Sequence, residues 1–118
     1  MECGRLQTPR PRAPRRRAAL SMARVTTSRD ADFDLLEIWA HIARHRIEAA
    51  DRLAERFDEV FQSLARSPNI GRGVDGLLPG LRRFPIGEYL VFFTAAEGGI
   101  RVVRVIHGAR EILPELFE

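Results

Sequence analysis

At 118 residues with 45% apolar side chains, the chain has the length of one domain built around one core. No apolar run approaches the roughly 18 residues of a membrane-spanning helix, and the only cysteine, Cys3, excludes an internal disulfide and a disulfide-stapled secreted scaffold. The formal charge of +3 divides into +6 over residues 1–24 and −3 over residues 25–118, a net acidic folding part ill suited to general duplex DNA binding.

Residues 1–21, MECGRLQTPRPRAPRRRAALS, alternate proline and arginine and offer almost nothing to bury, so they are expected to be a disordered extension. The apolar stretch after Arg17 is too short for a secretion signal. A nucleic-acid-binding arm is the alternative reading of this run. Met22 reads as a natural start, which makes residues 22–118 the expected domain and the preceding segment an upstream extension that need not be native. All nineteen basic residues are arginine, which is read as the codon usage of a GC-rich genome.

Ala23 to Thr27 suits a short strand. Thr27 or Ser28 then caps a helix whose first turn is expected to hold Asp30, Asp32 and Asp34, where the dipole favours negative charge. Leu35, Ile38, Trp39 and Ile42 recur at helical spacing, with Leu36 and Ala43 widening the stripe, and the helix should stop near His45. A second helix is expected from Glu48 to Ser67, where Pro68 ends it. Its apolar face comprises Ala50, Leu53, Ala54, Phe57, Val60, Phe61 and Leu64. The short link makes the two helices antiparallel neighbours.

PNIGRGVDGLLPG, residues 68–80, reads as a loop. Leu81–Ile86 is expected as a strand, at an edge or bulged because of Pro85. Tyr89–Thr94 returns after Gly87-Glu88, and Ile100–His107 follows the turn at Glu97-Gly98-Gly99. The last strand is apolar on both faces, as a central strand would be. The architecture that follows is α+β: a short N-terminal strand and a two-helix antiparallel hairpin packed on a small antiparallel sheet.

Gly71, Gly73 and Gly76 spell GxGxxG, but a helix precedes them and a Pro-Gly turn follows, the reverse of the dinucleotide-binding context. His41 and His45 stand one helical turn apart without a third ligand, and no zinc motif is present, so neither a metal nor another cofactor is expected. The sharper constellation is Arg82, Arg83, Arg101, Arg104, His107 and Arg110. Strict alternation puts Arg104 on a face with Ile100, Val102 and Ile106, and Arg101 and His107 on the other with Val103 and Val105. An arginine among aliphatics needs a carboxylate, backbone carbonyls or an external anion. The group is therefore an anion-binding surface for RNA phosphate or an acidic protein, or else Arg104 pairs internally with a helix carboxylate.

The segments DLLEIWAHIARH, AADRLAERFDEVFQSLARSPNIGR, LRRFPIGEYLVFF and IRVVRVIHGAREILPELF, in this order and spacing, resemble the RelE/ParE superfamily of type II toxin–antitoxin toxins, and the ParE branch most closely. The likeness runs from Met22 to Glu118. It implies a cytoplasmic toxin, with no membrane association, of a plasmid-stabilising type. It also implies a hetero-oligomer with a cognate antitoxin encoded next door, and DNA gyrase as the target inhibited by protein–protein contact. On that resemblance Arg82, Arg83, Arg104 and Arg110 are the expected polar contacts with target or antitoxin. Leu35, Ile38, Trp39 and Ile42 are the expected antitoxin groove where they are not simply core. RelE-type relatives instead cleave mRNA on the ribosome. In that reading the chain is an enzyme and Arg82, Arg104 and His107 are its candidate catalytic residues. Lysine is absent, the chain ends Leu116-Phe117-Glu118 without a terminal tyrosine, and three glutamates in the last eight residues would repel RNA there. A non-toxic protein-interaction module is the third reading.

Overall fold

Ser28 makes the first turn of the fold. Its Oγ accepts from the Ala31 N–H at 2.9 Å, capping a helix, and donates to the Val103 carbonyl at 2.7 Å, while its own N–H reaches the Val102 carbonyl. One residue thereby ends the first strand, starts the first helix and ties both to the last strand. In the computed structural model, which describes residues 23–117, the elements are β1 (Arg24–Thr27), α1 (Arg29–Ala43), α2 (Ile47–Arg66), β2 (Arg72–Gly73), β3 (Arg82–Ile86), β4 (Tyr89–Ala96) and β5 (Gly99–His107). Short 3-10 turns occupy Pro68–Ile70 and Pro114–Phe117. The expected extension over residues 1–21 lies outside the described residues.

The five strands form one sheet in the order β1-β5-β4-β3-β2. The sheet is mixed, because β1 lies parallel to β5 while every other pair is antiparallel. A parallel partner requires a crossover, and the helical hairpin together with β2–β4 supplies it. Gly99 is needed where β1 arrives: a Cβ there would sit 1.8 Å from the Arg24 carbonyl oxygen. Pro85 lies on β3 beyond Arg82 and Arg83, the two residues that β2 pairs with, so the missing N–H faces an open edge.

The hairpin closes one face of the sheet. Ala31, Phe57, Phe61, Leu64 and Ala65 pack on Ile86, Val91, Phe93, Ile100, Val102 and Val105, with Leu35, Ile38 and Leu53 at the margin. Burying Phe57 and Phe61 contributes about 1.5–3 kcal/mol each. The opposite face carries a second cluster of Leu81, Phe92, Ile106 and Phe117, covered by Val74, Leu77, Leu78, Ile112 and Leu116 from irregular segments. The Phe117 ring meets Phe92 edge-on at 4.9 Å.

A bulge corrects the alternation expected for the last strand. Phe93 pairs with Val102 and Phe92 with Arg104, which leaves Val103 as the extra residue. Ile100 and Val102 therefore share the helical face with Val105 and not with Arg104, while Arg104 and Ile106 lie on the outer face beside Phe92. Arg101, opposite Thr94, is on the outer face, whereas His107, opposite Tyr89, is on the helical side. Asp34 is also misplaced by the sequence reading. Asp30 and Asp32 occupy the first turn of α1, but Asp34 is one turn further in and buried.

Candidate functional site

The helices leave an apolar groove between them. Leu35, Ile38 and Trp39 of α1 and Ala50, Leu53, Ala54 and Phe57 of α2 line it, with Asp58 at its rim, around a volume of about 110 Å³. Trp39 is 37% exposed and its indole N–H donates to Asp51 Oδ1 at 3.0 Å, which fixes the ring at the groove's mouth. Phe33 and Leu36 on the same helix are 60% and 63% exposed, so α1 shows water more apolar surface than its fold requires. Of the four residues expected to form a groove, three line it; Ile42 is half-buried one turn beyond.

The expected arginines do not converge. Arg104 is satisfied internally: Nε and Nη2 donate to the two Asp34 oxygens at 2.7 and 2.9 Å, and Nη1 to the Leu116 carbonyl at 2.9 Å. Asp34 Oδ2 also accepts from the Val105 N–H at 3.0 Å. It stands in for the missing neighbour on the edge of β5 that β1 leaves uncovered after Thr27 pairs with Val102, while β4 continues on the other edge. The Asp34 hydrogen bonds, then its charge, outweigh burial and hold the Arg104 guanidinium above its ordinary pKa. Arg82 lies on the helical side, opposite Phe93, and donates to the Gly71 carbonyl at 2.6 Å. Arg83 is on the outer face opposite Phe92 and directly across from Arg72 on the edge strand. Arg110 is exposed in the turn after β5, its backbone N–H bound to the His107 carbonyl.

His107 is oriented. The Ala109 N–H donates to Nδ1 at 3.0 Å, so the neutral ring carries its proton on Nε2, which faces Glu88 Oε1 at 3.2 Å. Tyr89 meets the imidazole edge-on at 5.3 Å and Phe57 at 5.9 Å. Burial first, then the Glu88 carboxylate, pushes the Tyr89 phenol above its ordinary value. The residues of the nuclease reading are thus apart: Arg82 and His107 sit at opposite ends of their strands, and Arg104 is on the other face of the sheet.

Of the glycine triplet, Gly71 packs its Cα against the Phe93 ring, Gly73 belongs to β2, and Gly76 faces open space; a strand follows, with no helix N-terminus to meet a phosphate. Arg44 Nη2 donates to His41 Nδ1 at 2.9 Å, and among the described residues no group of three or more His, Cys, Asp or Glu is placed to hold a metal. The internal pairing of Arg104 with a helix carboxylate, one of the two expectations for it, is observed, but sequence reasoning did not single out Asp34, and it missed Arg72 as a strand residue. The 70-residue separation of Asp34 and Arg104 leaves no local signal, and a two-residue strand has no periodicity.

Residues 25–112 match the family model described as the ParE toxin of the type II toxin–antitoxin system parDE. Toxin ParE1 of Mycobacterium tuberculosis is 30% identical over 92 residues, covering 76% of this chain and 94% of that protein. Toxin ParE3 of Caulobacter vibrioides is 25% identical over 96 residues, covering 80% and 96%. A solved structure of the chromosomal ParDE toxin–antitoxin system from P. aeruginosa has the same fold, with a TM-score of 0.61, 22% identity and coverage of 74% and 97%. The chain belongs to the ParE toxin family of type II toxin–antitoxin systems.

Proposed function

We propose that the chain inhibits DNA gyrase by protein–protein contact and that a cognate antitoxin neutralises it by laying an apolar segment in the groove between α1 and α2. The observation that carries this reading is the groove itself: three stripe residues of α1, the partly exposed Trp39 among them, facing α2 around open space. A helix or extended segment with apolar anchors fits such a surface. Of the four arginines expected to make contacts, Arg83 and Arg110, half-buried and exposed, are left available, whereas Arg82 and Arg104 act within the fold. The place of action is the cytoplasm, where gyrase works; among the described residues no helix is long and apolar enough to cross a membrane.

The test pairs two assays of the purified chain. With gyrase, supercoiled plasmid and no ribosomes, cleaved DNA should accumulate, and equimolar antitoxin should suppress it. In a translation extract, mRNA should stay intact. Ribosome-dependent cutting that His107→Ala abolishes would establish the nuclease reading instead. Unimpaired growth on expression without antitoxin would leave only the interaction module.

A further inference from the structure

Arg72 and Arg83 stand directly opposite each other in the β2–β3 pair. Opposed residues of an antiparallel pair leave the same face with Cα atoms about 4.5–5.5 Å apart, so two guanidinium forks share one spot on the outer face. The same rung continues through Phe92 to Arg104. Arg104 is held by Asp34 and Leu116, but among the described residues no side chain or carbonyl accepts from the guanidinium of Arg72 or Arg83. Like charges directly opposite weaken a sheet. One oxyanion accepting from both forks turns that cost into two charge-assisted hydrogen bonds.

The geometry points to a carboxylate-binding site formed by Arg72 and Arg83 that takes an acidic side chain of a partner polypeptide. Two cations at one spot fit one carboxylate, whereas a nucleic-acid strand calls for cations along successive phosphates. The segments that close this face bear Asp75, Glu111 and Glu115, which confine the positive potential to the arginine pair and so suit one carboxylate side chain over a continuous run of anions. Arg82 is excluded, since it leaves the sheet on the other side. The site rests on the toxin reading and deepens it: the acidic side chain belongs to the protein that the chain inhibits, while titration with a peptide reads the arginine pair without gyrase or antitoxin present.

The test follows the arginine Nε–H resonances of the full chain during titration with a hexaglutamate peptide, which separates this pair from the arginines of residues 1–24. The Arg72 and Arg83 signals should move together on one saturation curve. Arg72→Gln should weaken the Arg83 response at least fivefold, while Arg101→Gln leaves both signals unchanged. The Arg72→Gln/Arg83→Gln double variant should melt no lower than the parent, because a like-charge pair has gone. Signals that stay still or move independently overturn the proposal, as does a lower melting temperature in the double variant. Tighter saturation by single-stranded oligothymidylate of equal charge overturns it in favour of nucleic acid.

Discussion

The two faces of the sheet are sealed by different means. The inner face meets regular helices whose backbone bonds are satisfied within themselves, so their far side is free to remain open as a groove. The outer face is covered by loops and one short 3-10 turn, fixed at a few points: the Phe117 ring on Phe92, the Leu116 carbonyl on Arg104, and Arg104 on Asp34. A cover held at points concentrates its stability in few side chains, whereas a helical cover spreads it along a stripe. Substitutions at the fastening points should therefore cost far more than substitutions along the groove.

The largest expected effect is at Asp34. Asp34→Ala leaves the Arg104 charge without its counter-ion, held only by the Leu116 carbonyl, and the Val105 N–H without a partner in a poorly solvated place, at a cost of about 3–5 kcal/mol in urea unfolding. Asp34→Asn should recover part of this, because an amide oxygen can still accept from Val105. A loss below about 1 kcal/mol for the alanine variant would break the comparison. Phe117→Ala comes next, at about 3 kcal/mol, with Phe117→Leu much milder; thermal melts read both. On the helical side, Trp39→Ala should cost about 1 kcal/mol of stability through the lost indole hydrogen bond. The same variant should weaken antitoxin binding at least tenfold by calorimetry, a split that marks a surface kept for a partner.

The smallest effect is at Tyr89. Its phenol is held above the ordinary value of 10.0 by burial and by Glu88, so the folded chain keeps that proton more tightly than the unfolded one. This contribution to stability is complete below about pH 10 and is lost as the pH rises through the folded value. Tyr89 is the only tyrosine, so phenolate absorbance titrates it alone, and Tyr89→Phe should remove this part of the alkaline destabilisation.

The helices were legible because Leu35, Ile38 and Trp39 recur at the helical period and Pro68 forbids continuation. The strands of the β3–β4 hairpin were legible from their turn residues. The bulge at Val103 was hidden because Ile100–Ile106 is rich in aliphatics on both faces, so a slipped alternation leaves no trace in the pattern. The parallel pairing of β1 depends on where the chain returns, which no local spacing encodes. In the site, the apolar stripe announced the groove, but the fates of the arginines did not show. Whether an arginine is spent or available depends on partners such as Asp34 and Gly71 that only the tertiary structure brings near.

Trp39 carries the chain's only indole, and it stands where a partner would enter. An occupant that covers the ring strips water from it and shifts its fluorescence to the blue, while the lone tyrosine packs behind Phe57 and beside His107 and does not itself line the groove. If the proposed occupant takes this groove, the molecule contains its own optical reporter of that event, and association can be timed in the native protein without attaching a dye.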